Sequence, residues 1–117
     1  MVDSIATAQI RADQVPALIH QVVRRISPLD PRAVGDTLRL SEDLGYDSLA
    51  LAELSFTLED LFGLSTLTPD RVLTIDEVRD VVSLIEQALA DDRAHLPARS
   101  DVEKLFKRNR AVSLPPG

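Results

Sequence analysis

The chain has 117 residues, enough for one domain, and with 44% of them hydrophobic it can bury a core. Only 3% are aromatic, so aliphatic side chains must fill that core, and the lack of any Cys excludes disulfides and protein thiols as nucleophiles or metal ligands. The net charge is −6, but four acids face six bases from residue 91 onward, so the first 90 residues carry −8; such an acidic body repels nucleic acid and suits partners with basic patches.

Residues 1–11 read as a loose N-terminal segment, with Ile5 and Ile10 able to pack locally. No secretory leader is apparent there, and no apolar run approaches the ~18 residues of a membrane span, so no membrane span and a cytoplasmic location are expected. Asp13 is placed to cap a helix whose first turn contains Pro16. Val15, Leu18, Ile19, Val22 and Ile26 then recur at spacings of three and four, one face of an amphipathic helix. His20 falls between these positions and reads as a surface residue. Ser27-Pro28-Leu29-Asp30-Pro31 ends the helix, because a residue before proline avoids the α region. A loop over about 28–46 follows, long for a compact domain, and Leu38, Leu40 and Leu44 are its natural anchors to the core.

The next segment organises the chain. Ser48 to Phe62 is a helix-length run closed by Gly63, which can turn left-handed without steric cost. Leu51, Leu54, Leu58 and Leu61 form one apolar stripe. Roughly opposite lie Leu49, Glu53, Phe56 and Asp60, a face that mixes acids with large apolar groups. That face is either a docking surface or a second contact with the core. Asp47 or Ser48 can serve as the N-cap. Alternatively the Ser48 hydroxyl is a modification site, since a helix N-terminus stabilises negative charge.

Beyond Gly63, residues 64–69 read as a connector, and Pro69 to Leu73 as one short helical turn. Thr74 and Glu77 fit a capping box for a helix carrying Ile75, Val78, Val81, Val82, Ile85 and Leu89 on one face. Its β-branched residues lower propensity, so packing must hold it. The expected fold is all-α: a small antiparallel four-helix bundle of three longer helices and one short one. This helical domain is expected over 12–91. Residues 92–117 read as a flexible tail, with a short helix at 100–110 in which Val102, Leu105 and Phe106 share one side. An isolated helix of that length is marginal in water, and the alternative to a solvated tail is a transient helix that docks to a partner or back onto the acidic bundle.

Other chemistry finds no support. Two histidines, His20 and His95, do not suggest a metal site. The four glycines are scattered, without a phosphate-binding loop. No serine has a base nominated beside it, so no catalytic residue is assigned and the protein is not read as an enzyme.

Leu44-Gly45-Tyr46-Asp47-Ser48-Leu49, followed by Glu53-Leu54 and Glu59-Asp60-Leu61-Phe62-Gly63, resembles the attachment motif and recognition helix of acyl carrier proteins. The resemblance covers roughly residues 13–90. Asp-Ser-Leu alone is weak, but the longer constellation is specific. The resemblance implies that Ser48 carries 4′-phosphopantetheine, derived from coenzyme A, with Asp47 and Leu49 beside it. The thiol ending that arm would hold an acyl group as a thioester, so the sulfur is imported. Leu49, Glu53, Phe56 and Asp60 would present the face that partners read. The implied partners are a phosphopantetheinyl transferase and acyl-loading, condensing and processing enzymes with basic docking patches. Asp47 before the serine is similar to fatty-acid and polyketide carriers rather than to peptidyl carriers of nonribosomal pathways. A peptidyl or aminoacyl carrier, or an acidic helical interaction module with no prosthetic group, are the alternatives. A freestanding monomer is expected, with a domain excised from a larger synthase as the alternative.

Overall fold

The computed structural model describes residues 9–29, 31–64 and 75–113, with side chains to residue 106. Among these residues four α-helices run in chain order: α1, Val15–Ile26; α2, Ser48–Phe62; α3, Val78–Ala90; and α4, Arg99–Ser113. No strand occurs among the described residues; two isolated bridges join Gln9 to Ala98 and Arg39 to Glu77. The expected turn at 69–73 lies outside the described residues. No helix among them is long and apolar enough to cross a membrane.

The α1 helix follows a 3-10 turn, Ala12–Gln14. Asp13 is not the cap of α1; its carboxylate accepts from Arg11 Nε at 3.1 Å, and Gln14 occupies the N-cap without a side-chain bond. Pro16 sits in the first turn, where its missing N–H costs nothing. Val15, Leu18, Ile19, Val22 and Val23 are buried, and Ile26 is half-buried. Burying an aliphatic side chain of this size fully is worth about 1.5–3 kcal/mol, so this face dominates the helix's stability.

The long loop after α1 is held at both ends and in the middle. Ser27 Oγ donates to the Leu44 carbonyl at 2.6 Å. Leu40 and Leu44 are buried, and Leu38 is half-buried. The loop also meets the start of α3: the Val78 and Arg79 N–H groups donate to the carbonyls of Leu38 and Asp36, both at 3.0 Å. These are first-turn donors that α3 itself cannot satisfy. His20 lies opposite Asp36, with Nε2 at 2.6 Å from Oδ1.

The start of α3 differs from expectation. Glu77, rather than Thr74, is the N-cap, and Asp80 completes the box by accepting from the Glu77 N–H at 2.9 Å. Thr74 lies outside the described residues. The same pattern of polar residue and acid three positions on occurs twice here, and the loop's hydrogen bonds to Val78 and Arg79 select the later one. The far end of α3 closes as a Schellman motif: Arg93 N–H donates to Ala88 and Asp92 N–H to Leu89. Asp92 takes the left-handed position, φ 61°, which usually belongs to glycine.

The segment expected as a flexible tail carries α4, which is longer than the helix anticipated at 100–110. Tertiary contacts supply what the sequence of α4 lacks. Leu105 joins the core, with Val102 and Phe106 packed against it. The linker into α4 is clasped by the N-terminal segment, where Ile10 N–H donates to Pro97 O at 3.0 Å and Gln9 Nε2 to Leu96 O at 2.9 Å. Ile10 is itself buried. The Arg25 guanidinium stands 4.8 Å from the Phe106 ring centroid, a cation–π contact worth about 0.5–1 kcal/mol when exposed.

Candidate functional site

The loop ends and α2 begins at Gly45-Tyr46-Asp47-Ser48. Gly45 has φ 71°, and a Cβ there would meet the Leu29 side chain at 2.8 Å, so both backbone and space demand glycine. Tyr46 is buried, and its hydroxyl donates to the Val23 carbonyl of α1 at 2.8 Å. Burial pushes this phenol well above the ordinary tyrosine pKa, and the nearby Glu53 charge adds to the shift. Tyr46 thus anchors the chain to α1 two residues before the serine.

Of the two capping candidates, Asp47 takes the position. Its carboxylate accepts from Ala50 N–H at 2.9 Å and its carbonyl from Leu51 N–H at 2.9 Å. Ser48 is the first residue of α2 and is exposed. Its hydroxyl is therefore not spent on closing the helix. The N–H groups of Ser48 and Leu49 precede the first intrahelical donors and point past the helix end. A reachable hydroxyl at a positive helix terminus fits attachment of a phosphodiester.

The rest of α2 divides into two faces. Ala50, Leu54, Leu58, Leu61 and Phe62 are buried, with Leu51 half-buried at the margin. Leu49 is 71% exposed and Phe56 74% exposed. Glu53 and Asp60 are also exposed. The structure thus brings Leu49, Glu53, Phe56 and Asp60 onto the solvent side of one helix, below Ser48, rather than into a second core contact. A 12-residue separation spans roughly 18 Å along the axis. Gly63 ends the helix at φ 67°, and the Leu64 N–H returns to the Glu59 carbonyl at 3.0 Å.

One neighbour of this surface was not singled out from the sequence. Leu29 is 61% exposed and lies over Gly45, beside the start of α2. A large apolar residue between two prolines was its only signal. At the other end α4 lines a cleft together with Thr57, Asp60 and Leu61, in line with the alternative that the tail helix docks back onto the bundle. Among the described residues no group of His and carboxylate side chains is disposed to hold a metal ion.

A family model described as a phosphopantetheine attachment site matches residues 17–85, which include all but the first two residues of α1, the whole of α2 and the first part of α3. Over 59 residues the chain is 48% identical to the actinorhodin polyketide synthase acyl carrier protein of Streptomyces coelicolor. That alignment covers 49% of this chain and 66% of the relative, less than two thirds of its length.

Proposed function

The chain belongs to the phosphopantetheine-attachment family, and from that premise we propose that it is an acyl carrier protein, modified at Ser48, that serves enzymes of polyketide or fatty-acid type rather than catalysing a reaction itself. One observation carries the assignment of the site. Ser48 is exposed at the first position of α2 while Asp47 performs the capping that would otherwise engage it.

In the modification, a P–O bond would form to Ser48 Oγ as the pyrophosphate link of coenzyme A breaks, with adenosine 3′,5′-bisphosphate as the leaving group and the hydroxyl proton passing to a base on the transferase. When bound, the prosthetic group supplies the thiol that this Cys-free chain lacks. The protein's own residues do the rest. Asp47 holds the helix start closed, Tyr46 ties it to α1, and the α2 N-terminus favours the phosphodiester's negative charge. Leu49, Glu53, Phe56 and Asp60 form the face that partner enzymes read, with the acids speeding encounter and the apolar pair giving contact. Tethering then raises the effective concentration of the acyl group at each partner's active site.

The test is intact mass after incubation with coenzyme A and a broad-specificity phosphopantetheinyl transferase. The wild-type chain gains one phosphopantetheinyl group and Ser48→Ala gains none. An unmodified wild-type chain would instead make this bundle an acidic interaction module.

A further inference from the structure

The exposed face of α2 does not end in open solvent. Between Thr57, Asp60 and Leu61 on α2 and Asp101, Lys104 and Leu105 on α4 opens a cleft of about 200 Å3. Its floor is apolar, because Leu61 and Leu105 are both buried. Its rim is charged, because Asp60, Asp101 and Lys104 are all exposed. None of these three charges forms an ion pair with another described residue. Elsewhere on the surface acids and bases do meet, as in Arg39–Glu42 at 2.7 Å and Arg79–Glu77 at 2.6 Å. Resting on the carrier reading above, we propose that this cleft is a socket for one arginine side chain on the docking surface of a partner enzyme.

The chemistry of the lining selects that occupant. The space admits a single side chain, not a second helix. Among the described lining residues, two carboxylates from two different helices stand with one ammonium, a net charge of −1 that disfavours an acidic group. A guanidinium presents five N–H donors in a plane, so it can address carboxylates on opposite walls at once; a lysine ammonium is a point charge without that reach. The methylene stem of an arginine can lie along Leu61 and Leu105. Lys104 opposes the occupant from the same rim, which keeps the contact weak and reversible, as a carrier that visits successive enzymes requires. Occupation of the socket fixes the far end of a partner's footprint, roughly 18 Å along α2 from Ser48. One wall belongs to α4, beyond the matched residues 17–85, so the socket is supplied by this chain's own C-terminal helix.

The experiment uses the full chain. Amide shifts are followed during titration with N-acetyl-arginine-N-methylamide, and in parallel with the lysine and aspartate counterparts. The arginine probe is expected to move Thr57, Leu61, Lys104 and Leu105 more than the lysine probe does, and the aspartate probe to leave them in place. Asp101→Asn should weaken the arginine response, and Lys104→Gln strengthen it, each by about two- to fivefold. Both positions are exposed, so helicity should be unchanged in either variant. A cleft silent to the arginine probe, or one in which Lys104→Gln weakens binding and the aspartate probe wins, overturns the proposal. Mass-detected loading of Ser48 is read on the same samples. Loading without an arginine response sinks the socket alone, whereas failure to load sinks the carrier reading whatever the cleft does.

Discussion

Tyr46 offers a direct test of how the attachment loop is held. It is the only tyrosine and there is no Trp, so near-ultraviolet absorbance reports this one phenol. The ring is buried and its hydroxyl donates to Val23 O. That carbonyl also accepts from Ser27 N–H at 3.0 Å. In Tyr46→Phe the ring remains and Val23 O keeps one donor, so no buried group is orphaned. The expected loss is therefore the net worth of one neutral hydrogen bond, about 0.5–1.5 kcal/mol, and not the larger cost of an unsatisfied carbonyl. The pH dependence has a definite sign. The folded pKa is raised above the ordinary value of 10.0, so the folded state keeps its proton longer than the unfolded state. This contribution to stability is complete below pH 10 and declines as pH rises from there toward the folded pKa. Base titration followed by tyrosinate absorbance and far-ultraviolet circular dichroism should show ionisation and loss of helix in one transition. Urea unfolding at neutral and high pH should show the Tyr46-dependent limb vanish in Tyr46→Phe. Tyrosinate forming near pH 10 with the helices intact would refute this account of the anchor.

Other outcomes follow from the same contacts. Asp47→Ala removes the α2 cap and should cost about 1 kcal/mol in urea unfolding, while Ser48→Ala, exposed and not capping, should stay within about 0.5 kcal/mol of wild type. Asp92→Gly relieves a left-handed non-glycine residue and removes an acid from a helix C-terminus, and should raise stability by roughly 0.5–1 kcal/mol in thermal unfolding. Hydrogen bonds from the Glu77 and Asp76 N–H groups hold the Asp80 carboxyl below its ordinary pKa, so its contribution is present at neutral pH and lost as pH falls below about 4; Asp80→Asn should flatten that acid limb of a stability curve. Glu53→Lys and Phe56→Ala lie on the exposed face and should raise the KM for transferase loading with circular dichroism unchanged; unchanged kinetics in both would remove this face from recognition.

What was legible in the sequence and what was not separate along physical lines. The faces of α1 and α3 follow from 3.6-residue periodicity, and every residue that α1 buries lies on or beside the expected stripe. The N-cap of α3 was displaced because two capping patterns overlap within a few residues, and loop carbonyls from Asp36 and Leu38, far away in sequence, decide between them. The α2 face could not be settled by pattern, since Leu49 and Phe56 would suit a core as well as a docking surface. Their exposure in the fold excludes the core reading. The choice between Asp47 and Ser48 as cap likewise turns on one hydrogen bond to Ala50 N–H, which no local propensity determines.

The α4 helix is the instructive case, because its order depends on partners remote in sequence. Its apolar residues are too few to fold it alone, yet Leu105 is buried and Phe106 lies under Arg25 of α1. The stretch that leads into it is held by Gln9 and Ile10, about 87 residues away. A segment can therefore look like a solvated tail by composition and still be structured, provided an existing core offers it a seam. The consequence reaches the site. The helix that covers this seam also stands beside Asp60, so the far end of the α2 surface has a neighbour of opposite charge balance. Under the proposed docking role, a partner that reads α2 over its full length would meet α4 as well, so truncation of that helix is expected to alter such a partner's binding.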